Sequence, residues 1–317
     1  MTPDEKPATR PEPDAGVTPP ISAEVVRKRA GCGRVLAIAS LAILAIVVWE
    51  LANLTSDNGA CRLMDYSMGP LAGNTTGRPA GELVVMTYNT EGHAVLLNRN
   101  HVQEIARTIN DAHPDIVALQ EVHNGTFQSR FVDQTALLEK LTGMHGRFGA
   151  SFHFMGGDFG NAILTRGEIL STRVWALPGQ GEPRSLLEAT IAIRGGVVNV
   201  YVTHFEAWGR LQRRSRIAQA ACVKTIVSRS GNPYILMGDL NATPEDPEIR
   251  QLRTAGSLLD TLGSGLITHP LTGQRIDYIL VPAGWKAQNT HVLHSGPSDH
   301  WPVVSTLQWT GADERTN

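Results

Sequence analysis

The chain has 317 residues, 42% of them hydrophobic and 18% charged, with 28 Lys and Arg against 30 Asp and Glu. That is the composition of a globular protein, and it excludes a chain that is disordered or fibrous throughout. A formal net charge of −2 excludes the strong basic field on which sequence-independent duplex binding draws, and from Gly81 to Trp309 the 19 Lys and Arg are matched by 20 Asp and Glu.

Residues 1–33 read as a disordered cytoplasmic tail, because the first 30 carry six prolines and few large apolar side chains. Val35 to Trp49 is then a charge-free apolar run bordered by Arg34 and Glu50. Its fifteen residues make about 22 Å of helix, and extension to Leu54 brings 34–54 to a plausible single membrane span. A buried soluble helix or a cleaved secretion signal are the alternatives. The long preceding segment and the lack of a good small-residue cleavage site favour a retained anchor. Arg27, Lys28, Arg29 and Arg34 precede the run and few cations follow it. The expectation is a single-pass membrane protein with a cytoplasmic N-terminus and an extracytoplasmic body.

Residues 55–80 are rich in Gly, Asn, Thr and Ser and read as a linker to a domain spanning 81–309, with 310–317 a tail. Leu83 to Thr87 predicts a strand. Asn100 is placed to cap a helix whose Val102, Ile105, Ala106 and Ile109 recur at helical spacing, with Pro114 beyond its end. Further strands are expected at 116–119, 161–164, 188–193, 197–203, 234–237, 276–281 and 302–308, and a long helix at about 210–228. The uneven placing of helices argues for a layered α/β body with mixed or antiparallel sheets. The cysteines Cys32, Cys61 and Cys222 form no metal-binding spacing; a Cys61–Cys222 pair and two free thiols are both compatible with the sequence.

Polar residues recur at the ends of the apolar segments: Asn89 after MTY, Glu121 after IVALQ, His204 after YVT, Asp239 and Asn241 in ILMGDLN, Asp299 and His300 in HSGPSDH. Asp277 interrupts RIDYIL. So many segments ending alike point to one shared edge where these side chains converge. The inventory is dominated by hard oxygen donors, which suit Mg²⁺ or Mn²⁺ over Zn²⁺. A metal with a supporting histidine is what phosphoester hydrolysis needs.

The motifs TYN, LQEV, GNAILTR, THF, GDLNATP, RIDYIL and SDHWPV, in this order, resemble the endonuclease/exonuclease/phosphatase superfamily, which includes DNase I-like nucleases, neutral sphingomyelinases and inositol-polyphosphate phosphatases. The resemblance implies a four-layer α/β sandwich, two packed mixed β-sheets flanked by helices, with the site at one end; here a transmembrane helix would precede it. It also implies roles. Glu121 would be the principal metal ligand, supported by Asn89 and Asp299. Asp239 would orient or deprotonate the attacking water and Asn241 would bind a phosphate oxygen. His300, oriented by Asp277, would contact the phosphate, and His204 would be the second histidine near it. Asn161 and Arg216 are weaker substrate-binding candidates. Asn161 reads equally as a loop support, and Arg216, with Gln219, as part of a solvated basic helix face with Arg210, Arg213 and Arg214. His93, His101, His123 and His153 read as ordinary polar residues.

The substrate stays open between nucleic acid and a membrane lipid phosphate. The arginine cluster favours the first; the tether, with a patch at Phe152, Phe154, Met155 and Phe159, favours the second, unless those aromatics only fill the core. A binding module without activity is a remote third reading, since no motif residue is missing. No protein partner is expected.

Overall fold

The computed structural model of the protein describes residues 61–68, 77–207, 210–255 and 257–311. The tail at 1–33, the apolar run at 34–54 and residues 312–317 lie outside the described residues. Among the described residues no helix is long and apolar enough to cross a membrane.

Strand β1 is Arg62–Met68 and β2 is Glu82–Asn89. In β2, Leu83 and Val85 face one way while Val84, Met86 and Tyr88 face the other, and both sets are packed. A strand covered on both faces must therefore lie in a central layer. Strand β3 (Ile116–Asn124) repeats the pattern, with Ile116 and Ala118 on one face and Val117 and Leu119 on the other. Between them helix α1 (His101–Ala112) buries Val102, Ile105, Ala106 and Ile109 as its periodicity demands. Asn100 stands at the cap position but its side chain makes no cap bond; the neighbouring Asn98 accepts from the Asn100 amide at 3.0 Å instead. Helix α2 (Gln134–Thr142) is opened by Asp133, whose carboxylate accepts from the Ala136 amide at 2.9 Å.

The remaining strands are β4 (His145–Phe154), β5 (Gly157–Thr165), β6 (Glu168–Leu177), β7 (Arg184–Ile193), β8 (Gly196–His204), β9 (Tyr234–Asp239), β10 (Leu258–Asp260), β11 (Asp277–Pro282), β12 (Trp285–Val292) and β13 (Val303–Trp309). The α-helices of the described residues also include α3 (Arg210–Val227) and the short α4 (Pro247–Arg250). Among the described residues thirteen strands form two sheets, in the orders β1-β6-β7-β8-β9-β11-β10 and β12-β13-β2-β3-β5-β4. Their inner faces meet in one apolar core, with Val85 and Ile163 from one sheet against Leu187, Val200 and Met237 from the other. The outer face of the six-stranded sheet carries α1 and α2. That of the seven-stranded sheet carries α3 through Ala220, Val223, Ile226 and Val227. The order helix, sheet, sheet, helix is the expected four-layer sandwich.

Register explains where the site must lie. The pairs β2–β3 and β8–β9 are parallel, so Asn89, Glu121, His204 and Asp239 leave their strands on the same side. Strands β7, β11 and β13 run antiparallel to β8, β9 and β2, which brings their starts to that same edge. Asp277 therefore opens a strand, pairing with Asp239, and does not interrupt one. Gly238 permits the close β8–β9 approach: a Cβ there would sit 1.9 Å from the Thr203 carbonyl oxygen.

The segment read as linker holds a strand. β1 pairs antiparallel with the edge strand β6, and a Cys61–Cys222 disulfide joins the residue before it to α3. Fully exposed side chains hid this strand, because burial periodicity is what makes a strand visible in a sequence.

Candidate active site

Both sheets contribute to the polar edge. Asn89 at the end of β2 is fully buried and its Nδ2 donates to Glu121 Oε1 at 3.0 Å and to Asp239 Oδ2 at 3.1 Å. The second of these bonds crosses from one sheet to the other. The Asn89 Oδ1 accepts from the Glu91 amide at 3.1 Å. Its oxygen is thus engaged by backbone and its nitrogen faces two carboxylates. Asn89, expected as a metal ligand, bridges the two acids through its amide nitrogen.

Glu121 owes its direction to a bulge. The β3–β5 register shifts between Leu119 and Val122, and Glu121 takes a left-handed φ of 57°. Such a conformation costs about 1–3 kcal/mol in a non-glycine residue and persists where its surroundings impose it. Here Gly92 presses on the bulge so closely that a Cβ would lie 2.1 Å from the Glu121 carbonyl oxygen. Burial raises the Glu121 carboxyl above its ordinary range, opposed by the Asn89 amide and by the charges of His300 and Arg184.

Asp239 and Asp277 are paired at the β9–β11 edge and both are buried. Burial and then the Asp277 charge push Asp239 up to about 7. Its Oδ1 accepts from the Asn241 amide at 2.9 Å, with Asn241 in the left-handed region at φ 47°, which asparagine tolerates. His300 Nδ1 lies 2.9 Å from Asp277 Oδ2, and His300 Nε2 lies 3.7 Å from Asp239 Oδ2. Burial alone would depress this imidazole, but Asp277 and Asp239 outweigh it and carry His300 to about 10. His300 is a held cation.

His204 behaves oppositely. Burial, then Arg184 and His300, keep it well below its ordinary value, so it is neutral. Arg184 Nη1 stands 2.8 Å from His204 Nδ1. A guanidinium can only donate, so Nδ1 accepts and the proton sits on Nε2. That Nε2 lies 3.0 Å from Asn241 Nδ2, whose amide also donates to the Phe205 carbonyl oxygen at 3.0 Å. The His204 Nε2–H also lies 3.4 Å from Asp239 Oδ2, so it and the Asn241 amide border the same point beside Asp239, where a phosphate oxygen would find two N–H donors.

Asp299 completes the rim: Ser298 Oγ donates to the Asn89 carbonyl oxygen at 2.7 Å, and Asp299 Oδ2 lies 3.6 Å from His269 Nε2. His269 also packs edge-on against His300, with ring centroids 4.6 Å apart.

The residues fit a hard divalent cation. Among the described residues Glu121 has no ion-pair partner and the buried Asp277 Oδ1 has no hydrogen-bond partner, and the donors are oxygens and imidazole. Two groups of three, Asp239–Asp277–His300 and His269–Asp299–His300, have ligand atoms within 4.8 Å of one another. Buried carboxylates of this density need positive charge beyond His300.

Two candidates are held by protein partners. Asn161 is buried and donates to the Ser185 carbonyl oxygen at 3.2 Å, tying β5 to β7. Arg216 is locked by Glu248 at 2.7 Å and by the carbonyl oxygens of Glu206 and Ala207 at 3.3 and 3.2 Å. Its Nη1 holds the chain that follows His204 while its Nε holds Glu248. Gln219 is buried too, accepting from the Glu206 amide at 3.0 Å, which removes it and Arg216 from any solvated face. Sequence reading overlooked Arg184, His269 and Ser298. Arg184 opens β7, and a search of strand starts as well as ends would have found it.

A family model described as Endonuclease/Exonuclease/phosphatase family matches residues 86–300. Comparison with curated proteins returned no match. Among solved structures, an endonuclease/exonuclease/phosphatase from Beutenbergia cavernae is similar at 26% identity and TM-score 0.61, covering 73% of this chain and 72% of that one. The human Nocturnin catalytic domain with bound sulfate has 21% identity and TM-score 0.60, covering 78% and 97%. D. rerio TDP2 complexed with single strand DNA product has 19% identity and TM-score 0.60, covering 72% and 99%. The last two establish likeness of fold.

Proposed function

Because this chain belongs to the endonuclease/exonuclease/phosphatase family, we propose that it is a divalent-metal-dependent phosphodiesterase acting on nucleic acid or nucleotides, with its catalytic domain outside a membrane. The observation that carries the chemistry is the convergence of three N–H donors, on His204, Asn241 and His300, around Asp239 and beside Glu121. The donors would bind and neutralise a phosphate whose charge grows in the transition state. Asp239, held by Asn89 and Asn241, would orient the attacking water and take its proton. Asp277 fixes His300 in direction and charge. Glu121 and Asp299 would hold Mg²⁺ or Mn²⁺, which supplies charge neutralisation and an acidified water.

Anchoring rests on the apolar run at 34–54, and the extracytoplasmic side on the cations that precede it. The Cys61–Cys222 disulfide supports the same side, since such bonds persist in oxidising compartments. A lipid phosphodiester is the second reading, favoured by the exposed Leu97, Phe127 and Phe131.

The test uses the full chain with Mg²⁺ on a single-stranded oligonucleotide, a supercoiled plasmid and phospholipid vesicles. The expected result is cleavage of nucleic acid that EDTA abolishes, Mg²⁺ or Mn²⁺ restores and Asp239→Ala reduces by orders of magnitude. Hydrolysis of the lipid alone would replace this reading with the second.

A further inference from the structure

Beside the catalytic residues lies an open recess of about 210 Å³ whose far wall is aromatic. Phe152 and Phe154 on β4 and Phe159 on β5 form it. The Phe152 and Phe154 rings meet edge to face at 5.7 Å, and Phe152 tilts against Phe159 at 5.3 Å. His123 stands edge-on to Phe159 at 4.9 Å, with its Nδ1 bound to Thr126 Oγ1 at 2.9 Å. The near wall is Glu121 and His204 of the catalytic cluster with Arg184 and Glu182, which pair with each other at 3.1 Å. Gln128 also lines the recess, and its amide makes no hydrogen bond among the described residues.

The aromatics are therefore not core filling alone. Phe152 and Phe154 are only half-buried, and they turn toward a space continuous with the site. An apolar wall with one free amide, one step from a phosphate position, suits a flat uncharged group bearing polar edge atoms. An acyl chain would need greater length and has no use for the Gln128 amide. A quaternary ammonium would also favour aromatic faces, and Glu121 and Glu182 in the same lining offset Arg184, so phosphocholine is the competing ligand that the test must exclude.

We propose that this recess is a nucleobase subsite, in which Phe152 and Phe154 stack the base next to the phosphate under attack while Gln128 contacts its polar edge. It rests on the reading of this site as a nucleotide phosphodiesterase. The base, from a strand or a free nucleotide, is recognised without sequence preference, because every base offers a π-face. A base paired in a duplex cannot enter unless extruded, so single strands are cut in preference to duplex. The near-neutral surface agrees, since it offers little grip on a duplex.

The experiment compares Mg²⁺-dependent cleavage of a dinucleoside monophosphate with that of its analogue lacking one base, and of a single-stranded with a duplex 12-mer, by the full chain. The wild type should favour the base-bearing substrate by about 10-fold or more, from the usual strength of base–aromatic stacking. Phe154→Ala, and Phe152→Leu which keeps apolar volume without a ring, should each remove about 10-fold in kcat/KM on that substrate and leave the abasic one unchanged. Equal losses on both substrates, or a wild type indifferent to the base or to pairing, would overturn the subsite. If no diester is cut, the functional reading fails separately, and calorimetric titration with AMP then decides. Binding that Phe154→Ala abolishes sustains the subsite; no binding, or phosphocholine binding in its place, overturns it.

Discussion

Asp277→Asn removes one charge and no atoms from the most enclosed part of the site. Asp277 is 1% exposed, its Oδ2 holds His300 Nδ1 at 2.9 Å and its other oxygen has no partner. His300, at 5% exposure, is carried from the usual 6.5 to about 10, against a burial that favours the neutral ring. At roughly 1.4 kcal/mol per pH unit, that rise corresponds to about 5 kcal/mol between charged and neutral His300, shared between Asp277 and Asp239. With asparagine in place only Asp239 and Asp299 oppose burial, so the ring's pKa falls from about 10 and the cation is held less firmly. The lost charge-assisted bond, worth about 1.5–3 kcal/mol, predicts a fall in kcat of about 10- to 100-fold. A His pKa raised by folding stabilises the protein below the unfolded value of 6.5, and that stability is lost as pH rises through about 10. Asp277→Asn should therefore cost the most thermal stability below pH 6.5, with the gap to wild type closing toward pH 10. A pH–rate profile and melting curves from pH 5 to 10 measure both. A variant with the wild-type profile and a pH-independent stability gap would refute the coupling of Asp277 to His300.

Asn89→Ala leaves Glu121 and Asp239 adjacent without their bridge, and a drop in kcat of about 10-fold or more is expected, together with a loss of Mg²⁺ affinity measurable by titration. Arg216→Ala strands the fully buried Glu248, so denaturant unfolding should show a loss of about 3–5 kcal/mol while KM, measured below the new melting point, stays near wild type. Reduction of Cys61–Cys222 reopens a loop of 161 residues, worth up to roughly 5 kcal/mol by chain entropy; Tm should fall while kcat at 25 °C holds. Unchanged melting on full reduction would show that β1 adds no constraint.

How much of this was legible in the sequence depends on burial. Strands covered on both faces, such as β2, β3, β8 and β9, are near-continuous apolar runs, and each was visible with its terminal polar residue. Strands β4, β6 and β12 alternate irregularly or expose most side chains, so composition did not betray them. The convergence of Glu121, His204, Asp239, Asn241, Asp277 and His300 followed from motif order. What a side chain does within the cluster did not. Asn89 bridges because its oxygen is taken by a backbone amide, and Arg216 turns inward because Glu248 is there. Those facts depend on partners distant along the chain, which local pattern does not encode. Arg184 was missed for a topological reason, since antiparallel pairing delivers strand starts, not ends, to the working edge.

The bond from Asn89 Nδ2 to Asp239 Oδ2 joins residues 150 apart and two different sheets. Neither sheet alone holds a complete set: one brings Asn89 and Glu121, the other His204, Asp239 and Asp277. A chain in which a single sheet has formed possesses half of a catalytic constellation, and half has no hydrolytic use. Activity in this protein is therefore a report on sheet-to-sheet closure, switched on by the same long-range event that completes folding. A hydrolase built this way stays silent until its two sheets have closed on each other.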